Sequence, residues 1–291
     1  MKRPAVKREL DEVLALYKLE PSLKDIYVEG VNDARILRWF LSKNGQHDIT
    51  VYDIQLVDIP KNLFEGAGLN PDCTRNHVIL LSEKLSHGLA GGRRGIRCIA
   101  DVDFDRHLGA CRKNDVLQYT DYTCMEMYLF NEKTLERFVN FVLGDFPESV
   151  PALVKNLKHV LERLFLLRLA NQKLEWSMTW VDIKDYTSYA KGKIGFDERR
   201  YVNSYLMRNG RSKAQKAFQK TIEELAAQLD SDSRHNIRGH DFTYLLFLSS
   251  RRHLGRRFVA KNWETFETLF CGFVEFDEIA REPLFVALGK L

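Results

Sequence analysis

Between residues 24 and 130 the chain alternates β-rich runs with helical ones, and this alternation limits the fold more than any other feature. "KDIYVEG" (24–30) is a short β-rich run. The following "ARILRWFLSK" places apolar residues at 36, 37, 40 and 41 on one helical face, with Asn32 or Asp33 positioned to cap it. "DITVYDIQLVDI" (48–59) reads as a second strand closed by Pro60, and residues 75–87 as a helix stopping at Gly88. A glycine-rich loop, "GLAGGRRG", leads into the strand "IRCIADVDF", and "YTDYTCMEMYLF" (119–130) runs from a β-like stretch into a helix. Strands separated by helices predict an α/β domain, a mostly parallel sheet with helices on both faces. Residues 5–19 form an amphipathic helix ahead of it.

From about residue 132 the pattern becomes mainly helical, as in "VPALVKNLKHVLERLFLLRLA" and "SKAQKAFQKTIEELAAQL". In the latter, Phe218, Ile222, Leu225 and Leu229 form an apolar stripe, with Lys213, Lys216 and Lys220 roughly opposite. A boundary is expected near 145, at "LGDFPESVP". It would separate an N-terminal α/β domain (1–145) from a mainly helical C-terminal domain (146–291).

In parallel sheets, sites form beyond the carboxyl ends of the strands. Glu29 falls at one such end and Asp101, Asp103 and Asp105 at another. If the chain stays extended through "ADVDFD", the three aspartates point to one side while Val102 and Phe104 point inward. Two charges about 4 Å apart repel by roughly 4 kcal/mol at an effective dielectric near 20. Protonation, arginine partners or a bound cation would relieve this, and a hard ion such as Mg²⁺ (or Mn²⁺) suits carboxylates best.

Other assignments compete for the same residues. D-x-D-x-D opens a calcium loop, but that loop needs Gly at its sixth place and Glu at its twelfth, where this chain has Arg106 and Arg112. Asp105 alone could cap the next helix, and Arg106 or Arg97 could neutralise the cluster. Asp241 reads as the N-cap of "FTYLLFLSS".

Composition excludes several classes. With 45% hydrophobic and 29% charged residues, the 291-residue chain is globular rather than disordered. No apolar run approaches eighteen residues, and the basic "MKRPAVKREL" has no apolar secretory core, so a cytoplasmic protein without a membrane span is expected. The 5 cysteines include no C-x-x-C pair and read as reduced thiols. Net charge is only +4, but residues 199–220 hold seven Lys or Arg and no acid, and residues 234–261 hold seven against Asp241 alone. Lys213, Lys216, Lys220, Arg251, Arg252, Arg256 and Arg257 are therefore candidates to grip a nucleic-acid backbone. "GGRRG" lacks P-loop spacing, so an ATPase would have to be another chain.

"VEGVND" (28–33) followed by "ADVDFD" (100–105) resembles the Toprim domain, over about residues 24–131. Together with "CMEMYLFN" and "IRGHDF" (237–242), it is most similar to a bacterial group related to the overcoming-lysogeny-defect nucleases. That group includes the Toprim effector subunits of PARIS anti-phage systems. The resemblance implies a metal-dependent endonuclease in which Asp101 and Asp103 hold Mg²⁺. Glu29 would complete the site or act as general acid or base. It further implies Glu126 and Asp105 as additional ligands, with Gly30, Asp33, His240 and Asp241 in support. It also implies host tRNA as substrate (DNA is the alternative), a partner ATPase that holds the chain inactive, and a homodimer when active. A non-catalytic subunit that docks on the ATPase is the remaining alternative.

Overall fold

The computed structural model describes residues 7–89, 95–144, 146–190, 193–251, 253–254 and 262–291. In chain order the elements are β1 (Arg8–Glu9), α1 (Leu10–Leu19), β2 (Lys24–Val28), α2 (Val31–Lys43), β3 (Ile49–Asp53), β4 (Val57–Asp58), α3 (Lys61–Ala67), α4 (Thr74–Gly88), β5 (Ile96–Ala100), α5 (Asp105–Leu108) and β6 (Leu117–Tyr119). There follow α6 (Glu132–Phe138), α7 (Val150–Lys173), β7 (Thr187–Ala190), β8 (Lys193–Phe196), α8 (Glu198–Arg208), α9 (Gln215–Ala226), α10 (Gly239–Ser250), α11 (Trp263–Cys271), α12 (Phe276–Ile279) and α13 (Pro283–Leu288). Residues 90–94 of the glycine-rich loop lie outside the described residues, as do Arg252, Arg256 and Arg257.

The chain divides into two compact units. The first holds the residues up to Arg106, Ala110–Met125 and Val274–Leu291; the second holds His107–Gly109 and Glu126–Phe273. The expected division at 145/146 thus differs from the observed one at both ends.

The first unit is built on a four-stranded parallel sheet in the order β3-β2-β5-β6. In β2, Ile26, Tyr27 and Val28 are all buried, as a strand covered on both faces requires. One face packs Tyr27, Ile96, Cys98, Ala100 and Leu117 against α1, α3 and α4 through Leu10, Val13, Phe64, Val78 and Leu81. The expected stripe of α2 is buried at Ile36, Leu37, Phe40 and Leu41. A buried polar link ties α1 to β2: the Tyr17 hydroxyl donates to Asp25 Oδ2 at 2.7 Å and lies 2.7 Å from the Tyr27 hydroxyl.

The second strand is interrupted. β3 ends at Asp53, a 3₁₀ turn follows at Ile54–Leu56, and β4 pairs with β1 in a separate parallel ribbon. The last eighteen residues belong to this unit. Phe276 stacks on Phe40 at 5.4 Å, Phe285 meets Phe40 edge-on at 4.9 Å, and the Tyr122 hydroxyl donates to Glu282 at 2.7 Å.

The second unit is mostly helical, with the antiparallel hairpin β7–β8 inserted. Phe138 anchors it, ringed edge-on by Phe266, Phe270 and Phe273 at 5.1–5.3 Å. In α9 Phe218, Ile222 and Leu225 of the expected stripe are buried, whereas Leu229 lies past the helix end and is half-buried; Lys216 and Lys220 on the helix and Lys213 just before it are exposed. Among the described residues no helix is long and apolar enough to cross a membrane.

Candidate functional site

In the first unit, strand register creates the acidic edge. β2 and β5 run parallel with Val28 opposite Ile99, so the residues just past their carboxyl ends are neighbours. Glu29 leaves β2 there and Asp101 leaves β5 there. The Asp101 main-chain N–H donates to Glu29 Oε1 at 2.7 Å. The Glu29 carboxyl is pushed well above its ordinary range. Desolvation is the main cause, and the charges of Asp103 and Asp33 add to it; the Asp101 N–H and Arg75 oppose it.

The chain does not stay extended through "ADVDFD". β5 stops at Ala100, and Asp103 adopts a left-handed backbone with φ 46°. This conformation is uncommon for a non-glycine residue, although Asp tolerates it better than most. The turn is held by Asp103 N–H to Thr123 O (2.8 Å) and Asp105 N–H to Val102 O (3.0 Å). The buried Thr120 fixes it further, its Oγ1 accepting from Val102 N–H at 3.1 Å and donating to Tyr122 O at 2.7 Å. The expected same-side alternation of the three aspartates is therefore replaced by a turn, and Asp105 opens α5. Val102 is buried as expected, whereas Phe104 is only partly so.

One guanidinium found against the cluster is that of Arg75, in the first turn of α4, a residue the sequence had not pointed to. Arg75 Nε donates to Asp101 O at 2.6 Å and Nη2 to Asp105 Oδ2 at 2.5 Å, while Nε lies 3.9 Å from Asp103 Oδ2. Arg75 is itself buried. Asp33 closes the start of α2 by accepting the Gly30 N–H at 3.0 Å; the N-cap position is Gly30 and not Asn32 or Asp33. Gly30 has extended backbone (φ −142°), and a Cβ there would meet only Asp33 Oδ2 at 3.5 Å. Its conformation does not require glycine.

The other expected residues lie in the second unit. Glu126 sits in a 3₁₀ turn (Met125–Leu129), beside His240 at the start of α10 and Glu267 in α11. One ligand atom from each of these three lies within 4.8 Å of the other two, and they form the group gathered this tightly among the described residues. His240 Nδ1 is 3.1 Å from Glu267 Oε1 and 3.9 Å from Glu126 Oε1. Its pKa is raised to about 9, chiefly by the Glu267 hydrogen bond and then by the charge of Glu126. Asp241 is not the N-cap of α10, a place held by Arg238. Its carboxylate makes a two-pronged pair with Arg168 (2.7 Å each), whose guanidinium lies 3.7 Å from the centre of the Trp180 ring. Sequence reasoning missed Arg75, Thr120 and Glu267, none of which belongs to a motif.

Donor chemistry decides which ion each place suits. Glu29, Asp101, Asp103 and Asp105 offer oxygen alone, the set a hard divalent cation takes. Arg75 already offsets part of their charge; the Glu29 proton affinity stays raised, first by burial and then by the charges of Asp103 and Asp33. Glu126, His240 and Glu267 offer one nitrogen and two carboxylates. No family model matches the chain, and no curated protein matches it.

Proposed function

We propose that the chain is a divalent-metal-dependent phosphodiesterase of Toprim type, an endonuclease whose working residues are Glu29, Asp101 and Asp103. The observation that carries this is the pairing of Glu29 with the Asp101 main chain across adjacent parallel strand ends, next to Asp103 and Arg75. Mg²⁺ bound by these carboxylates would stabilise charge on the phosphoryl oxygens and favour an oxygen nucleophile. Glu29 would complete the ion's shell, and because it holds a proton more readily than an ordinary glutamate, binding the ion would release that proton. Arg75 fixes the loop through Asp101 O and Asp105 and presents positive charge to a phosphate. The exposed lysines of the α9 region and Arg251 would grip the backbone without reading sequence.

The resemblance to PARIS effectors favours tRNA over DNA as substrate, a partner ATPase as inhibitor, a homodimer as the active form, and action in the cytoplasm as an abortive-infection toxin. The test is incubation of the purified chain and Mg²⁺ with tRNA and with plasmid. Cleaved tRNA, lost in Glu29→Gln and with EDTA, supports the proposal; nicked plasmid beside intact tRNA moves the substrate to DNA.

One observation favours a second, non-catalytic reading. Arg75 pairs with Asp105 and approaches Asp103, so part of the acidic edge is already neutralised. On that reading Glu29→Gln leaves cellular toxicity unchanged.

A further inference from the structure

We infer that Glu126, His240 and Glu267 form a binding site for a borderline transition ion, Zn²⁺ or a similar metal, within the second unit and chemically unlike the all-oxygen edge of the first. The two carboxylates are buried, at 8% and 7% exposure, yet between them they face one imidazole. Glu126 reaches it only at 3.9 Å, beyond a hydrogen bond. Arg238 adds a positive charge that acts on His240.

The spacing suits an ion. Zn–N and Zn–O bonds near 2.0–2.2 Å in a tetrahedral shell put neighbouring ligand atoms about 3.3 Å apart. The observed 3.1 and 3.9 Å separations from His240 bracket that value, and all three ligand atoms lie within 4.8 Å of one another, so small side-chain shifts would close them on an ion. An outer shell is also built. Thr243 Oγ1 donates to Glu267 Oε1 at 2.7 Å, and Trp263 Nε1 donates to Thr243 Oγ1 at 3.0 Å, a chain that orients the carboxylate as metal sites do. The His240 side chain is 55% exposed, which gives an ion a way in. The imidazole selects against Mg²⁺, Ca²⁺ and Mn²⁺ and for Zn²⁺, Co²⁺ or Ni²⁺. Three protein ligands leave a fourth position to water.

The test does not depend on nuclease activity. The full chain, stripped with chelator and returned to excess Mg²⁺ to fill the all-oxygen edge, is titrated with Co²⁺ followed by visible absorption and with Zn²⁺ by calorimetry. The wild type should take up one equivalent, and His240→Gln and Glu267→Gln should weaken its binding at least tenfold. Because a substitution in α10 or α11 could disturb folding, nitrogen couplings in pulsed EPR of the wild type loaded with one equivalent of Cu²⁺ give a second readout. Imidazole coupling lost in His240→Asn supports the site. A wild type that binds no equivalent, binding unaffected by His240→Gln and Glu267→Gln, or a spectrum without imidazole coupling overturns it. Failure of Glu29→Gln alone to cleave nucleic acid bears on the first unit and leaves this inference standing.

Discussion

Replacing Glu29 by Gln should make the metal-free protein more stable while abolishing the nuclease activity proposed for it. Gln keeps the shape and still accepts the Asp101 N–H, which now holds Glu29 Oε1 at 2.7 Å. What disappears is a desolvated charge facing Asp103 and Asp33, opposed first by the Asp101 N–H and then by Arg75. Each tenfold rise in the proton affinity of a carboxyl is worth about 1.4 kcal/mol toward its neutral form. A gain at pH 8 follows, of the size single substitutions reach, about 0.5–3 kcal/mol. For a unit of this size that is a Tm rise of roughly 2–4 °C per kcal/mol. The pH dependence has a fixed sign. The folded pKa of Glu29 is raised above the ordinary 4.5, so its contribution is most favourable below that pH and is lost as pH rises through the folded value. The variant and wild type should therefore melt alike at low pH and separate as pH rises. Mg²⁺ should stabilise the wild type and close the gap, with little effect on the variant. Calorimetric melts at several pH values, with and without Mg²⁺, measure all of this. A variant less stable than wild type at pH 8, or a gap that does not change with pH, would refute the electrostatic argument.

Removing the guanidinium in Arg75→Gln leaves Asp103 and Asp105 without it and should cost about 3–5 kcal/mol in chelator, part of it recovered by Mg²⁺, as denaturant titrations would show. Asp241→Asn separates ion pair from cap: Asn caps helices as well as Asp, so a cap would lose almost nothing, whereas breaking the Arg168 pair should cost about 3 kcal/mol or more. His240 should titrate near pH 9 by NMR and return toward 6.5 in Glu267→Gln. Its contribution to stability is complete below pH 6.5 and lost as pH rises through about 9.

The parallel sheet was legible because Ile26–Val28 and Ile96–Ala100 are apolar runs separated by amphipathic helices, and the meeting of Glu29 with Asp101 follows from parallel register. Arg75 was not legible. It reaches Asp101 and Asp105 from the start of a helix twenty-six residues earlier, a tertiary contact that no local pattern encodes. The same holds for Glu267, which meets His240 only through packing of α11 against α10. The expected extended path past Asp101 missed the left-handed turn at Asp103, because alternation continues on paper after the strand has ended. The hairpin Thr187–Phe196 mixes partly buried and exposed residues and sits among helical patterns. The short α12 and α13 carry too few turns to reveal, before folding, that Phe276 and Phe285 pack on Phe40.

The most direct test of the catalytic account is a crystal of the full chain soaked in Mn²⁺ and measured at the manganese absorption edge. An anomalous peak bonded to carboxylate oxygens of Glu29, Asp101 and Asp103, absent in Glu29→Gln, is the predicted result. A well-ordered edge with no peak there, its carboxylates held by Arg75 alone, would contradict the account.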